Sequence, residues 1–229
     1  MGLLVLLPNA EFPFQQDRAI LIDPNGNVVW IYDKAHPTPG PEAAFTAPGP
    51  GIVPITDTPL GRIASVICFD MDFPWLVRQA GQAHADLLIA PSLDWDTAKR
   101  SDAQLASIRA VENGVSLVRP SGDGISQAVD HQGRVLAAND SFATDKAVFL
   151  TSVPMHRVAT VYAVIGDSFA YLSSWVWYSS WAWRSSVVGA SRADPSARTS
   201  ARSASGRRCE RYYRRRRTRY RVCSPATGR

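Results

Sequence analysis

The segment that most constrains the fold of this chain is R-I-A-S-V-I-C-F-D-M-D-F-P, at positions 62–74. Its near-continuous apolar run over 63–67 predicts a strand that is buried on both faces. Acidic residues end the run, and Pro74 suits the first position of a following helix, where a missing N–H costs nothing. Cys68 is therefore expected at the tip of a central strand, just before a helix N-terminus. A thiol placed there gains thiolate character, although a buried structural cysteine is the alternative.

The surrounding sequence predicts many strands and only two clear helices. D-P-N-G at 23–26 and D-H-Q-G at 130–133 have the chemistry of hairpin turns. This balance favours packed sheets flanked by helices over a single doubly wound sheet. The predicted strands are 2–7, 19–23, 28–32, 63–67, 86–90, 116–118, 125–129, 134–138 and 147–153, and the first predicted helix is 74–82.

The second predicted helix begins at Ser101, which opens a capping box that Gln104 completes. Apolar residues at 105, 108 and 111 predict the face that turns toward the core, and Asn113-Gly114 predicts the end of the helix.

A proline-rich segment at 36–59 interrupts this regular pattern. It holds seven prolines without an apolar period and is too long for a simple connector. Long ordered loops often belong to a functional site, so we expect this one to contribute to the site. A proline-stiffened crossing of the surface is the alternative.

Charge and cysteine content divide the chain near residue 173. Residues 1–172 carry 11 basic and 18 acidic residues, a net charge of −7, whereas 173–229 carry 14 arginines and two acids, a net charge of +12. The tail lacks Leu, Ile, Phe and Met and cannot build a core, so we expect it to be disordered. Binding of nucleic acid by its arginines and tyrosines is the less favoured interpretation. Cys68 is the sole cysteine of the body, which excludes a disulfide framework there, and no segment of the sequence is expected to cross a membrane.

Three short patterns stand in order: Y-D-K-A-H-P, which holds Lys34 and has Glu42 eight residues after it, then the Cys68 segment, then R-A-V-E-N-G at 109–114. Lysine, glutamate and cysteine are the set needed for acyl transfer. A cysteine can attack a carbonyl carbon and form a thioester. The Lys34 ammonium and the backbone N–H of Phe69 could hold the oxyanion, and a glutamate must accept the thiol proton. The four histidines show no metal-ligand spacing, so neither a metal nor a cofactor is expected.

These motifs resemble the nitrilase (carbon–nitrogen hydrolase) superfamily over residues 2–172. The resemblance implies an α/β/β/α sandwich and assigns Cys68 as nucleophile, Lys34 as the catalytic lysine and Glu42 as the second glutamate. Phe69 and Asp70 would support the oxyanion site.

Downstream segments at 109–120, 124–135 and 160–169 resemble the apolipoprotein N-acyltransferase branch of the superfamily. That branch implies a phospholipid acyl donor, an apolipoprotein acceptor and a thioester intermediate. It also implies a catalytic domain on the outer, periplasmic face of the cell membrane, attached through segments absent from this chain. A soluble amidase that acts on a small amide and a non-catalytic remnant are the two alternatives.

Two features depart from that pattern. The family places its general-base glutamate several dozen residues before the lysine, and only Glu11, 23 residues before Lys34, is available here. The sequence is therefore expected to represent an N-terminally truncated domain of weak or no turnover, with an aberrant tail at 173–229. Asp70 is the second departure, because the acyltransferase branch usually has glutamate and the soluble amidases aspartate at this position.

Overall fold

The computed structural model describes residues 3–9, 16–144, 148 and 150–191. Its architecture is mixed α/β, as predicted. The strands are β1 Leu3–Asn9, β2 Gln16–Ile22, β3 Val28–Asp33, β4 Ile55–Thr58, β5 Gly61–Ser65, β6 Leu87–Ile89, β7 Ser116–Arg119, β8 Ile125–Val129 and β9 Val135–Asp140. The helices are α1 Pro41–Phe45, α2 Pro74–Gln82, α3 Lys99–Asn113, α4 Val161–Ile165 and α5 Ser168–Ser191, with a 3₁₀ turn at Cys68–Asp72.

The strands form two sheets. Strands β1, β2 and β3 make an antiparallel sheet, and β4 to β9 make a six-stranded sheet in sequence order. Strands β5, β6 and β7 are parallel, with α2 and α3 as the crossover helices between them. Parallel strands covered by helices bury both faces, which explains the apolar run of β5 and the fully buried Leu88 and Leu117 in the core.

Local turn chemistry predicted several element boundaries correctly. Gly26 N donates to Asp23 O over 3.1 Å in the first hairpin turn, and Gly133 N donates to Asp130 O over 2.9 Å in the second. Helix α2 has the predicted bounds. Helix α3 ends as predicted, with Gly114 in the left-handed conformation at φ 64°.

The predicted start and inward face of α3 are wrong. The helix begins at Lys99 rather than after Ser101, whose hydroxyl donates to Ala98 O inside the first turn instead of capping it. Ala103, Ala106, Ala110 and Asn113 face the core, whereas Ile108 is 53% exposed. Short alanine side chains let the helix pack close to its neighbours. This close packing decides which face is buried, although the larger apolar side chains lie on the predicted face.

Two further strand assignments differ from prediction. The proline-rich segment contains helix α1 and the edge strand β4, neither of which was predicted. Edge strands tolerate proline and short length, so this strand lacks the apolar run of a central one. A strand was predicted over 147–153; positions 147 and 149 lie outside the described residues, and 148 and 150–153 have no strand structure.

Disorder from residue 173 was also predicted, and helix α5, which continues to Ser191, contradicts it for 173–191. Composition excludes a core but not a helix, whose hydrogen bonds are local, and the tryptophans of this segment are indeed exposed. Contacts divide the chain into a unit that ends at Trp175 and a unit that begins at Val176. Positions 192–229 lie outside the described residues.

Among the helices that the structure describes, none combines the length and the apolar character needed to cross a bilayer.

Opposite substitutions on the two faces of α3 test its orientation. Ala110→Leu should lower the free energy of unfolding by about 1–3 kcal/mol, because the added methylenes meet a closed core. Ile108→Ala, on the exposed face, should change it by less than about 0.5 kcal/mol. Urea denaturation followed by circular dichroism measures both values. A larger loss of stability in Ile108→Ala than in Ala110→Leu would mean that the face predicted from the sequence is the buried one.

Candidate active site

Cys68 lies where strand β5 and its extension end. Val66 N donates to Ile89 O over 3.1 Å, so pairing with β6 continues beyond Ser65. Cys68 then adopts φ 46°, in the left-handed region that residues with a side chain seldom occupy. Its backbone N–H donates to Pro91 O over 2.9 Å, and its Sγ lies 3.6 Å from Leu93 O. A cysteine in such a conformation at a strand end is a frequent mark of a functional position.

Lys34 follows strand β3 and is 2% exposed, although it carries a charge. Its Nζ donates to Glu42 Oε1 over 2.6 Å and lies 3.7 Å from Asp17 Oδ2. The backbone of Lys34 is also held on both sides: its N–H donates to Asp17 O, and its carbonyl accepts from Gly49 N, both over 2.8 Å. A Cβ at Gly49 would lie 2.1 Å from Asp33 O, so only glycine permits this approach.

Glu42 stands in the short helix α1 of the proline-rich segment. One carboxylate oxygen binds Lys34 and the other accepts from Thr38 N over 3.0 Å. Burial acts to raise the pKa of Glu42, but the hydrogen bonds from Lys34 and Thr38 outweigh it and leave the pKa lowered. Glu42 is therefore a carboxylate at neutral pH and the stable counter-charge of Lys34.

Asp70 is fully buried and joins the Lys34 segment to the Cys68 segment. Its carboxylate accepts from the Tyr32 hydroxyl over 2.7 Å and from His36 N over 2.8 Å on one side, and from Ile67 N over 3.1 Å on the other. Hydrogen bonds from backbone N–H groups to a carboxylate are strong because one partner is charged. Asp70 therefore holds the two segments in register, which is a support role different from contact with an oxyanion.

Four of the five predicted residues line one cavity of about 1120 Å³: Lys34, Glu42, Cys68 and Phe69. Residues of the proline-rich segment line it too, whereas Asp70 does not. Phe69 occupies the first turn of the 3₁₀ helix, where N–H groups lack partners within the helix.

The pKa of the Cys68 thiol is raised, contrary to the thiolate expected from its place at a helix start. Burial is the main cause; Lys34 and Arg119 act against it, and Asp94 acts with it. A five-residue 3₁₀ turn has too small a dipole to offset desolvation. Cys68 is therefore a thiol at neutral pH, and its use as a nucleophile requires a proton acceptor.

Sequence reasoning missed five charged residues of this cavity: Asp17, Asp72, Asp94, Asp102 and Arg119. The hairpin register could have revealed Asp17, because pairing of Arg18 with Asp33 sets Asp17 opposite Lys34. Burial raises the pKa of Asp17, and the negative charge of Glu42 acts in the same direction. Asp94 and Arg119 are brought together only by the tertiary fold, and no short motif marks them.

Glu11, the only candidate for the family's general base, lies outside the described residues. Within the part of the chain that the structure covers, no group of three or more His, Cys, Asp or Glu side chains could hold a metal ion.

A buried lysine–glutamate pair beside a cysteine at a strand end defines a cysteine-dependent site of the C–N hydrolase type on an α/β scaffold. The family model "Carbon-nitrogen hydrolase" matches residues 9–163. The chain therefore belongs to the carbon–nitrogen hydrolase family, the nitrilase superfamily that its motifs predicted, and the α/β sandwich is confirmed with it.

The relatives of the chain include proteins of two different functions. It is 32% identical over 138 residues to a deaminated glutathione amidase of Rattus norvegicus, covering 52% of this chain and 42% of that protein. It is 30% identical over 174 residues to an apolipoprotein N-acyltransferase of Geobacter metallireducens, covering 67% of this chain and 33% of that protein. The chain thus spans less than half the length of these curated relatives.

Solved structures add an amidase from Nesterenkonia sp. AN1, with 29% identity and a TM-score of 0.55 over 61% of this chain and 57% of that one. A mutant of that amidase carries the acetamide moiety of fluoroacetamide attached covalently at its active site cysteine.

Replacing Asp70 by asparagine tests its support role. Each carboxylate oxygen of Asp70 accepts a hydrogen bond from a backbone N–H group. Whichever oxygen the asparagine –NH₂ replaces, it therefore faces an N–H donor and loses that hydrogen bond. Asp70→Asn should therefore lower the free energy of unfolding by about 1–3 kcal/mol. Asp57→Asn, which alters an exposed ion pair with Arg62, is the matched control and should leave the urea midpoint unchanged. Equal stability of the two variants would exclude the bridging role.

Alkylation measures the state of the Cys68 thiol directly. Because burial raises its pKa, the rate of alkylation by iodoacetamide should rise with a midpoint above the value of about 8.5 for a free cysteine. Mass spectrometry of the peptide that contains Cys68 separates it from Cys209 and Cys223. Lys34→Met should raise the midpoint further, since it removes a cation that favours the thiolate. A midpoint below that of a free cysteine would mean that the helix start, not burial, controls the sulfur.

Proposed function

We propose that this domain transfers a fatty acyl group from a phospholipid, through a thioester on Cys68, to the N-terminal amine of a lipoprotein. The observation that carries this proposal is the apolar, solvent-accessible wall of the cavity around Cys68. Leu93 and Trp95 line the cavity and are 66% and 67% exposed. An acyl chain needs such a surface, whereas a small polar amide does not.

The proline-rich segment adds further support. Two large apolar side chains of this segment, Phe45 and Ile52, are exposed, and so is Leu60 directly after it. Phe45 belongs to the same short helix as Glu42, so this surface adjoins the site. Exposed apolar groups near a site suit an acyl donor that resides in a membrane, and the site would act at the outer face of the cell membrane.

In the proposed reaction the Cys68 sulfur attacks the carbonyl carbon of the phospholipid ester. The Lys34 ammonium and the Phe69 N–H stabilise the negative charge on the carbonyl oxygen. The sulfur–carbon bond forms and the carbon–oxygen bond of the ester breaks, and the proton lost by the Cys68 thiol ends on the departing oxygen, which leaves a lysophospholipid and the acyl-enzyme. The lipoprotein amine then attacks the thioester, the sulfur–carbon bond breaks, and one amine proton passes to sulfur and restores the Cys68 thiol.

The resting thiol of Cys68 makes proton removal the limiting requirement of this scheme. Glu42 is paired with Lys34 and is not available as the proton acceptor. The scheme requires no cofactor. We therefore expect the chain as it stands to acylate slowly and to turn over weakly or not at all.

The second candidate is an amidase, which the rat and Nesterenkonia relatives favour. In that case water would resolve the thioester, and the substrate would be a small amide. The two proposals differ in the size of the acyl group that the cavity prefers.

Intact-mass spectrometry with p-nitrophenyl palmitate and p-nitrophenyl acetate, at equal concentrations, distinguishes them. Acyltransfer predicts an adduct of one acyl group per chain that forms faster with palmitate and is absent in Cys68→Ala. Lys34→Met should slow its formation by about 10²–10³-fold, as loss of an oxyanion donor does elsewhere. A preference for acetate supports the amidase, and the absence of any Cys68 adduct contradicts both.

A pair of tryptophan variants locates the acyl chain. Trp95→Ala should slow palmitate transfer and leave acetate transfer unchanged. Trp75→Ala, an exposed tryptophan that does not line the cavity, should change neither. Equal effects of the two variants would place the acyl chain elsewhere.

A further inference from the structure

A buried ion pair lies in the wall of the same cavity. Arg119, the last residue of β7, donates from both terminal nitrogens to Asp94, over 3.0 Å to Oδ2 and 2.6 Å to Oδ1. Both side chains are almost inaccessible to solvent. Arg119 also donates to Ile125 O over 3.0 Å, and the Ser121 hydroxyl donates to Asp94 Oδ2 over 3.1 Å. The pair is therefore well satisfied and held in one geometry.

The backbone around this pair touches the sulfur. Leu93 directly precedes Asp94, and its carbonyl oxygen lies 3.6 Å from Cys68 Sγ. The Asp94 N–H donates to Asp123 O over 2.7 Å, so the loop after β6 is fastened to the turn between β7 and β8. A Cβ at Gly124 would lie 2.3 Å from Asp94 Oδ2, so that turn has room for the carboxylate only because residue 124 is glycine.

Stability alone gives a weak reason for such a pair. Removing two charges from water carries a desolvation penalty, and the attraction between the charges only about offsets that penalty. An apolar pair of similar size would serve packing equally well. The charges have a second effect, however, because their fields reach the sulfur: Arg119 favours the thiolate and Asp94 opposes it.

Other charged groups surround the sulfur in this cavity. Lys34 enters the cavity from the end of β3, together with its carboxylate partners Glu42 and Asp17. Asp72 of the 3₁₀ turn and Asp102 of α3 also line the cavity. Lys34 is paired with Glu42 at 2.6 Å, and Arg119 with Asp94 at the same distance. The Asp94–Arg119 pair is therefore a second influence on the charge of Cys68, beside that of Lys34.

We propose that Asp94 and Arg119 are positioning residues for Cys68. The pair holds the Leu93 carbonyl against the sulfur, and its two opposite charges offset each other there, so that neither charge alone changes the thiol state of Cys68. The inference rests on the proposed role of Cys68 as nucleophile. It concerns the reactivity of the sulfur itself, however, and can be measured without turnover.

The test uses the full chain and the pH dependence of Cys68 alkylation by iodoacetamide, followed on the Cys68 peptide. Asp94→Asn leaves Arg119 unopposed and should lower the midpoint, whereas Arg119→Gln leaves Asp94 unopposed and should raise it. Each shift should be about half a pH unit or more, a roughly threefold change in thiolate fraction below the midpoint. The double variant Asp94→Asn/Arg119→Gln restores neutrality and should return the midpoint close to that of the original chain.

Opposite shifts distinguish an electrostatic role from a purely structural one. Loss of loop structure would move both single variants in the same direction, and that result, or the absence of any shift, overturns the proposal. Asp57→Asn removes an exposed carboxylate and is the control that should not shift the midpoint. If Arg119→Gln does not fold, as judged by circular dichroism, Asp94→Asn must still lower the midpoint, and an unchanged or raised midpoint overturns the proposal.

The same variants separate this inference from the proposed function. Opposite midpoint shifts without any acyl adduct would support the inference and refute acyl transfer. An acyl adduct with unshifted midpoints would do the reverse.

Discussion

The carboxylate of Asp70 is the interaction on which the site depends. Lys34 and Cys68 follow strands of different sheets, and their segments meet because Asp70 accepts from Tyr32 and His36 on one side and from Ile67 on the other. A buried carboxylate is tolerated only when its oxygens are fully hydrogen-bonded, which makes the arrangement nearly all-or-none. The Cys68 turn and the Lys34 segment are therefore positioned together.

A second constraint is the low polarity of the cavity. Both cations that line it are paired with a carboxylate: Lys34 with Glu42, and Arg119 with Asp94. The thiol of Cys68 enters as a neutral group because burial raises its pKa. Such a site stores its nucleophile in an unreactive form, and the exposed apolar wall at Leu93 and Trp95 offers substrate a surface that can displace water. The chemistry of the site and its proposed preference for an acyl chain thus have the same physical origin, which is partial exclusion of water.

Membership in the carbon–nitrogen hydrolase family agrees with this geometry, and the relatives include an amidase and an N-acyltransferase. In the two proposed reactions, acyl transfer and amide hydrolysis, the first step is the same acylation of Cys68. What differs is the acceptor, water or an amine, and the shape of the acyl group that the cavity accommodates. The wall of the cavity is consequently more informative about function than Lys34, Glu42 and Cys68 themselves.

The sequence by itself determined the features that depend on local chemistry: the hairpin turns, the bounds of α2, the end of α3 at Gly114, and the buried strand before Cys68. It also predicted the family, because the motifs around Lys34, Glu42 and Cys68 resemble those of the nitrilase superfamily. Only the tertiary structure decided which face of α3 is buried, that Cys68 is a thiol rather than a thiolate, and that Asp17, Asp94 and Arg119 join the cavity. Each of these depends on how deeply a group is buried by residues that are distant in sequence. Neither the apolar periodicity of the sequence nor the spacing of its motifs records that burial.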